Sequence, residues 1–503
     1  VRSRGLGDVY KRQGLSSIVG RFLNWCLVPL YVYLFPTEEY GIVSYLYSFT
    51  AVMLVILNYG METGFFRFAN KEPDPDKVYA TSLTSVGTTS LLFIILLTLF
   101  LSPVSELILL PHHSLYVWLL GVTVAVDAFS NIPFAYLRYR KKALRFAGIK
   151  LLNIALNIAL NLFFLLCCPA LMKHFPGLVS WFYEPAGGES FGIGWIFVAN
   201  LISSLIVMAC LLPEIRKNRF GIEGRLLRKM LAYSWPLLIL GVAGIMSQNM
   251  GQMLIPYIFK GSEEAARSMV GIYGANIKIA IVMVMFTQAF RYAYEPFIFA
   301  QAKNDGESRR LAYCDAMKFF LIFGLFIFLG VMFFLPILKH FISPSYWPGL
   351  RVVPVMMLAE LCFGIFFNLS MWYKLTDRTQ WGMYLSLLCF VLMLGLNLLL
   401  VPAIGIPNGY MGAAWAALIS YFTVMTVSYF LGRKYYPLPY QLGRMGLYIL
   451  FAGALYYAGM YIDTLFPVWL LYAVRVIFLC IYIGTVIIAE RIPLPGIRRA
   501  KRQ

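Results

Sequence analysis

Charge is what this chain has least of. Only 13% of its 503 residues are Asp, Glu, Lys or Arg, against roughly 25% in an average soluble domain. A soluble chain of this length needs a polar skin, and this one has none to spare. That shortage excludes a soluble enzyme, a secreted scaffold and a disordered protein. Metal-site patterns are absent too: the eight cysteines (Cys26, Cys167, Cys168, Cys210, Cys314, Cys362, Cys389, Cys480) form no CxxC pair, and the four histidines have no ligand spacing. The cysteines read as small apolar packing residues. There is no GxxxxGK[ST] phosphate loop, which disfavours a primary pump, and the sequence calls for no cofactor. No loop exceeds about 25 residues, which leaves no room for the soluble catalytic segment a membrane glycosyltransferase or polymerase needs, so no enzymatic role is expected.

What fills the chain is apolar: 60% of residues are hydrophobic. A bilayer core takes about 20 apolar residues per helix. Fourteen such runs are present, near 14–35, 41–63, 80–102, 115–137, 146–168, 191–213, 231–258, 269–291, 312–338, 348–373, 379–402, 411–431, 443–462 and 467–489. They must be helices, because unpaired backbone is too costly in lipid. The expectation is an all-α integral membrane protein. Residues 1–13, VRSRGLGDVYKRQ, begin without Met and join the first run abruptly; they read as a non-native leader and are set aside from fold reasoning.

The net charge of +19 does not form one patch, so nucleic acid is not the expected partner. The basic residues recur in loops after even-numbered runs, for example Arg138, Arg140, Lys141, Lys142 and Arg145, or Arg225, Arg228 and Lys229. Loops after odd runs hold only Lys173, Lys260, Arg267, Lys339 and Arg351. By the positive-inside rule both termini are cytoplasmic.

Three short strings repeat at a similar distance. Phe66-Arg67-Phe68-Ala69 returns as Phe290-Arg291-Tyr292-Ala293, Asn161-Leu162 as Asn397-Leu398, and Ala199-Asn200-Leu201-Ile202-Ser203 as Ala416-Ala417-Leu418-Ile419-Ser420. Six runs separate the copies, so both copies share one orientation. This predicts two parallel six-helix lobes, 14–213 and 231–431, joined by a basic linker at 214–230. Residues 432–503 add a helix pair and a basic tail. Two facing lobes are a transporter plan, with the substrate site between them near the midplane.

This arrangement resembles the polysaccharide flippase branch of the MOP superfamily, which also holds MATE exporters and lipid II flippases. The strings that carry the resemblance are Gly14-Leu15-Ser16-Ser17 leading to Arg21, Tyr40-Gly41-Ile42-Val43, Gly60-Met61-Glu62-Thr63, Gly274-Ala275-Asn276-Ile277-Lys278, Arg291-Tyr292-Ala293-Tyr294-Glu295-Pro296 and Tyr346-Trp347-Pro348-Gly349. It spans Gly14 to about Arg491, and departs from the family at the N-terminus, where the leader replaces a basic amphipathic start. The resemblance implies a bacterial inner-membrane flippase of undecaprenyl-diphosphate-linked oligosaccharides. Membrane lipid surrounds such a protein, and the polymerase and glycosyltransferases of the pathway are its expected partners. The alternative on the same fold is a MATE-like ion-coupled exporter of small molecules, which needs an acidic rather than a basic cavity.

Charges inside the runs are the candidate functional residues, since each costs about 2.5–3.5 kcal/mol at a bilayer centre. Arg21 and Lys278 are expected to hold the diphosphate, with Arg offering a forked fit to phosphate oxygens. The competing reading pairs each with a carboxylate such as Asp127 or Glu360. Arg67 and Arg291, repeat equivalents, stand near Glu62 and Glu295 and read either as snorkelling anchors or as a cytoplasmic gate. Asp127, near a midplane, is also a candidate ion-coupling group, and Glu360 shares that expectation. Lys150 and Lys318 are expected to snorkel from span ends, and Arg475 to pack against lobe or lipid. The many Trp and Tyr residues, Trp181 among them, read as an interfacial belt. The external loop from Pro169 to Phe191 is the longest and a candidate cap on the exit.

Overall fold

The computed structural model describes residues 25–184, 187–217, 220–259, 261–301, 306–376, 378, 380–405, 408–462 and 467–490, without the side chains of 189, 217, 295–301, 306, 308, 309, 468 and 469. The described residues are helical, with no strand among them. In chain order the helices are α1 (Leu27–Leu34), α2 (Thr37–Asn58), α3 (Met61–Ala69), α4 (Pro75–Leu99), α5 (Leu101–Leu107), α6 (Ser114–Tyr139) and α7 (Ala143–Leu162). Then come α8 (Cys168–His174), α9 (Pro176–Tyr183), α10 (Gly194–Cys210), α11 (Leu212–Lys217), α12 (Gly224–Ile258), α13 (Glu263–Gln301) and α14 (Gly306–Phe333). The last are α15 (Leu335–Leu338), α16 (Val352–Leu369), α17 (Met371–Leu375), α18 (Gln380–Ile404), α19 (Tyr410–Tyr435), α20 (Leu442–Ile462) and α21 (Val468–Ala489).

Among the described residues, twelve helices are long and apolar enough to cross a bilayer, and each falls on an expected run. Gly194–Cys210, a shorter apolar helix, falls on a thirteenth. The first run is seen only as α1; its start, with Arg21 and the leader, lies outside the described residues.

Local chemistry sets the helix ends. Pro36 is extended ahead of α2, and Glu38 and Glu39 sit in its first turn, where the helix dipole favours negative charge. Tyr59 and Gly60 both take left-handed backbone (φ 31° and 70°), which breaks α2 from α3 within one run. Asp74 caps α4 by accepting from the amides of Asp76 and Lys77 at 3.1 and 3.3 Å, with Pro75 at the first helical position. A π-turn at Phe163–Cys167 follows α7 just before Pro169, whose ring cannot supply the next helical N–H.

The chain forms two compact units. One is 1–275 with 383–417; the other is 276–382 with 418–503. The sequence repeat draws its boundary elsewhere, at the linker after residue 213; in the structure α12 and the start of α13 cluster with the first unit. Within that unit α4 packs on α6, α10 on α6 and α7, and α12 on α2 and α3. Its core at one helix end gathers Met61, Phe65, Val78, Tyr79, Ile132, Tyr136, Leu211 and Met230. In the second unit α14 packs against α16, α20 and α21.

Candidate functional site

The first unit contains a string of side-chain hydrogen bonds through its spanning helices. On α7, Asn157 and Asn161 are four residues apart and share a face, which also carries Lys150 seven residues earlier. On α10, Asn200 and Ser204 have the same spacing. These faces meet. The Tyr31 hydroxyl donates to Asn161 Oδ1 (2.9 Å), Asn161 Nδ2 donates to Asn157 Oδ1 (2.6 Å), and Asn157 Nδ2 donates to Asn200 Oδ1 (2.6 Å). Asn200 Nδ2 then donates to the Tyr47 hydroxyl. Tyr47 lies within electrostatic reach of Asp127 in the middle of α6. The buried Ser204 hydroxyl and Lys150 both lie within electrostatic reach of Asp127.

Asp127 is half-buried, as is Lys150, whose Nζ stands 4.1 Å from the centre of the Phe134 ring. Lys150 starts two turns inside α7, where it lies against the Phe134 ring and within electrostatic reach of Asp127. The arrangement is a carboxylate with one nearby hydroxyl, one nearby cation and a run of amides and phenols beyond. Amides and hydroxyls both donate and accept, so members of such a string can exchange roles. Sequence reasoning singled out Asp127 and used Asn161 and Asn200 only as repeat markers. The polar i, i+4 pairs inside apolar helices were the signal for the rest.

Glu62 and Arg67, near in sequence, part company in the structure. Five positions put them about 140° apart around a helix. Glu62 forms its ion pair with Arg138 of α6, while the exposed Arg67 lays its guanidinium 4.0 Å from the centre of the Tyr233 ring on α12. Neighbouring basic residues are paired as well: Arg140 with Asp76 (2.7 Å) and Arg145 with the buried Glu214 (2.9 Å).

In the second unit, Arg291 stands 4.3 Å and Lys374 4.8 Å from the centre of one ring, Phe367. Both repeat-equivalent arginines thus rest on aromatic faces. The Glu295 side chain lies outside the described residues. Lys278 on α13 and Glu360 on α16 are half-buried, and Glu360 forms no ion pair among the described residues. Lys318 departs from the snorkelling expectation. It is buried, bonded to Glu490 Oε2 (2.5 Å) and Asp315 Oδ1 (3.2 Å), because α20 and α21 cover it. Tyr448 donates to the other Glu490 oxygen (2.8 Å), Tyr482 to the Ile322 carbonyl (3.1 Å), and Arg475 to the Phe333 carbonyl (2.7 Å). These bonds fasten the final helix pair to α14.

A further contact sits where α2 and α13 begin. A Cβ on Gly41 would strike the Arg267 carbonyl, and a Cβ on Gly271 would strike the Thr37 carbonyl. Thr37 and Ser268 join their hydroxyls across the crossing at 2.7 Å. Gly41 and Gly271 stand 230 positions apart, and at that offset Thr37 aligns with Arg267 and Ser44 with Gly274. The contact is therefore reciprocal: each glycine meets the carbonyl of the residue equivalent to the one its partner meets, as in a two-fold interface.

Residues 13–299 match the model of a family described as polysaccharide biosynthesis protein. Among solved structures, the chain is similar to a lipid II flippase, MurJ, in an inward closed conformation, with 14% identity and a TM-score of 0.72 over 96% of this chain and 98% of that one. It is also similar to a multidrug resistance MATE family transporter of the MOP superfamily in an inward-facing conformation (14% identity, TM-score 0.66, 85% and 97% covered). An outward-facing MATE structure matches at 14% identity and a TM-score of 0.57, with 85% and 95% covered. No curated protein sequence matches.

Proposed function

The chain belongs to the polysaccharide biosynthesis protein family, and from that premise we propose that it flips undecaprenyl-diphosphate-linked oligosaccharides across the bacterial cytoplasmic membrane. The observation that carries this reading is the extent of the shared fold. The MurJ structure covers 96% of the chain, whereas the MATE structures leave about 15% unmatched, a share the size of residues 432–503. The final helix pair fits a flippase plan, and its buried bonds to α14 make it an integral part of the second unit.

Arg21 and Lys278 hold the diphosphate, which must shed water to cross the bilayer. Arg67 and Arg291 form the cytoplasmic gate, released from their aromatic rests when it closes. The α2–α13 crossing is the external gate, and its glycines let two backbones meet with no side chain between them. Asp127, with Ser204 and Lys150, couples an ion gradient to the exchange of states. Both termini are cytoplasmic, and the polymerase and glycosyltransferases of the same pathway supply and take up the substrate.

Reconstitution in proteoliposomes tests the reading. Purified protein should move a lipid-linked diphosphate oligosaccharide to the opposite leaflet and should not export cationic dyes. The Arg21→Ala, Lys278→Ala double variant should insert normally and lose flipping, and Arg21→Lys should restore only part of the activity. Full flipping by the double variant removes the diphosphate site; dye export without flipping moves the chain to the exporter reading.

A further inference from the structure

Between α7 and α10 the chain leaves the spanning helices and makes α8 and α9, two short helices absent from the transport argument above. Their inner side is an aromatic stack. Phe164, Trp195 and Tyr183 lie nearly parallel, with ring centres 4.7 and 5.0 Å apart, over the buried Cys168 and Val179. Trp195 donates its indole N–H to the Gly188 carbonyl (2.9 Å), which closes the loop over the stack. This packing fixes one face of α9 inward, through Val179 and Tyr183.

The other face points out and is apolar. Phe175, Leu178 and Trp181, at three-residue spacing, are 63%, 64% and 74% exposed. Leu178 and Trp181 are neighbours on one side of the short helix, and Phe175 precedes them as its cap residue. The Trp181 indole N–H is already given to the Leu178 carbonyl at 3.1 Å, so the ring offers its flat apolar surface and asks little of water. Three large apolar side chains on eight residues are not a water-facing design.

The position of α9 identifies what covers them. It follows directly on the 32-residue membrane-spanning stretch Ala143–His174. Its Phe182 stacks on Phe163, the residue that follows α7 within that stretch (6.4 Å, 16°). Phe163, Leu162 and Leu166 are exposed on the same spanning segment, where they face lipid. The outer face of α9 thus continues a surface already in contact with the bilayer, and Lys173 and His174 mark the polar edge between them. We propose that α9 is an interfacial helix, with Phe175, Leu178 and Trp181 inserted at the boundary between headgroups and acyl chains. The partner is membrane lipid. Insertion pins the loop between α7 and α10 to the membrane. Insertion itself needs only that the chain spans a bilayer; that the leaflet is the outer one rests on the orientation proposed above.

Tryptophan quenching in proteoliposomes tests this on the whole chain. The emission lost on Trp181→Phe is the Trp181 component, and the residue's exposure makes the substitution safe for the fold. That component should be quenched by phospholipids brominated close to the glycerol, less by those brominated near the chain end, and little by aqueous iodide. Adding Leu178→Trp to Trp181→Phe should restore a component with the same behaviour. Glu184→Trp in the same background, at the exposed, charged C-terminal cap of α9, should respond to iodide instead. Iodide quenching of Trp181 equal to that of the Glu184→Trp probe overturns the proposal. So does shielding from both quenchers, which means a protein surface covers the helix. An inserted helix that is quenched only by bromolipid in the other leaflet keeps the anchor and removes the proposed orientation.

Discussion

Two polar constructions inside the helices invite comparison. In the first unit, Asp127 has one hydroxyl and one cation within reach and a string of amides and phenols beyond. In the second, Glu490 is clasped by Lys318 at 2.5 Å and Tyr448 at 2.8 Å, and Lys318 is further held by Asp315. The first is built of groups that can trade donor and acceptor roles. The second is fully charged and held from several sides, so moving it means separating ions. A protein that must change shape needs both kinds, and the comparison tells them apart: rearrangeable bonds suit an element that moves between arrangements, and fixed charge suits the joint that carries the final helix pair.

The α2–α13 crossing lies at one extreme, because its backbones meet at two glycines, beside the Thr37–Ser268 hydroxyl contact. The largest expected effect is therefore there. Gly271→Leu drives a side chain into the Thr37 carbonyl, and overpacking of this kind costs about 1–3 kcal/mol or more. Flipping should fall to background. A Thr37→Cys, Ser268→Cys pair, which cross-links readily in the parent, should lose its cross-link when Gly271→Leu is added. A retained cross-link means the crossing tolerates bulk and does not act as a tight gate.

Next comes the fixed pair. Glu490→Ala leaves Lys318 buried without its main counter-ion, a loss of about 3–5 kcal/mol, read as a lower unfolding temperature in detergent. Replacing both members, Lys318→Met with Glu490→Met, should recover most of it. The pH dependence has a defined sign. Burial alone would raise the Glu490 pKa, but the Lys318 and Tyr448 hydrogen bonds outweigh it and hold the carboxyl below its ordinary value. A depressed pKa contributes stability above the unfolded value of about 4.3, and that contribution is lost as pH falls through the folded one. The gap between wild type and Glu490→Ala should thus shrink in acid. A gap that stays constant with pH assigns the joint to packing instead of charge.

The spans were legible because hydrophobic run length alone sets them. Their ends were less so. α12 begins at Gly224 rather than near 231, since Arg225, Arg228 and Lys229 continue the helix beyond the apolar run. The partners of the charges were not legible at all. Glu62 finds Arg138 seventy-six residues away, and Lys318 finds Glu490 at the far end of the chain. Gly41 and Gly271 look like any glycines until the backbones that approach them are known. Asp127 could be named from cost alone, but Ser204, Lys150 and the asparagine string come from three helices meeting.

The rearrangeable network gives the third prediction. Asp127→Asn keeps the shape and most hydrogen bonds, so stability should change by only about 1 kcal/mol. Dependence of flipping on an imposed ion gradient should nevertheless disappear, and Asn200→Ala should weaken it in the same direction. An active Asp127→Asn variant with unchanged gradient dependence removes the coupling role and makes the network structural, like the Glu490 joint.

The smallest effect is expected at the aromatic rests of the two arginines. A cation over a ring at an exposed site contributes about 0.5–1 kcal/mol, and Arg67 is exposed above Tyr233. Tyr233→Leu should therefore leave the unfolding temperature almost unchanged. Its consequence belongs to function, because a weak rest is one that a gate residue can leave. If Arg67 moves between Tyr233 and a second site, removing the rest should shift that balance by about two- to five-fold, the factor that such an energy corresponds to. The shift would be read as a changed rate of phenylglyoxal modification of Arg67 between substrate-free and substrate-loaded protein. Tyr233→Phe, which keeps a ring face, should show no shift. An equal shift in Tyr233→Phe assigns the effect to the phenol hydroxyl, and no shift in either variant leaves Arg67 an interfacial anchor with no part in gating.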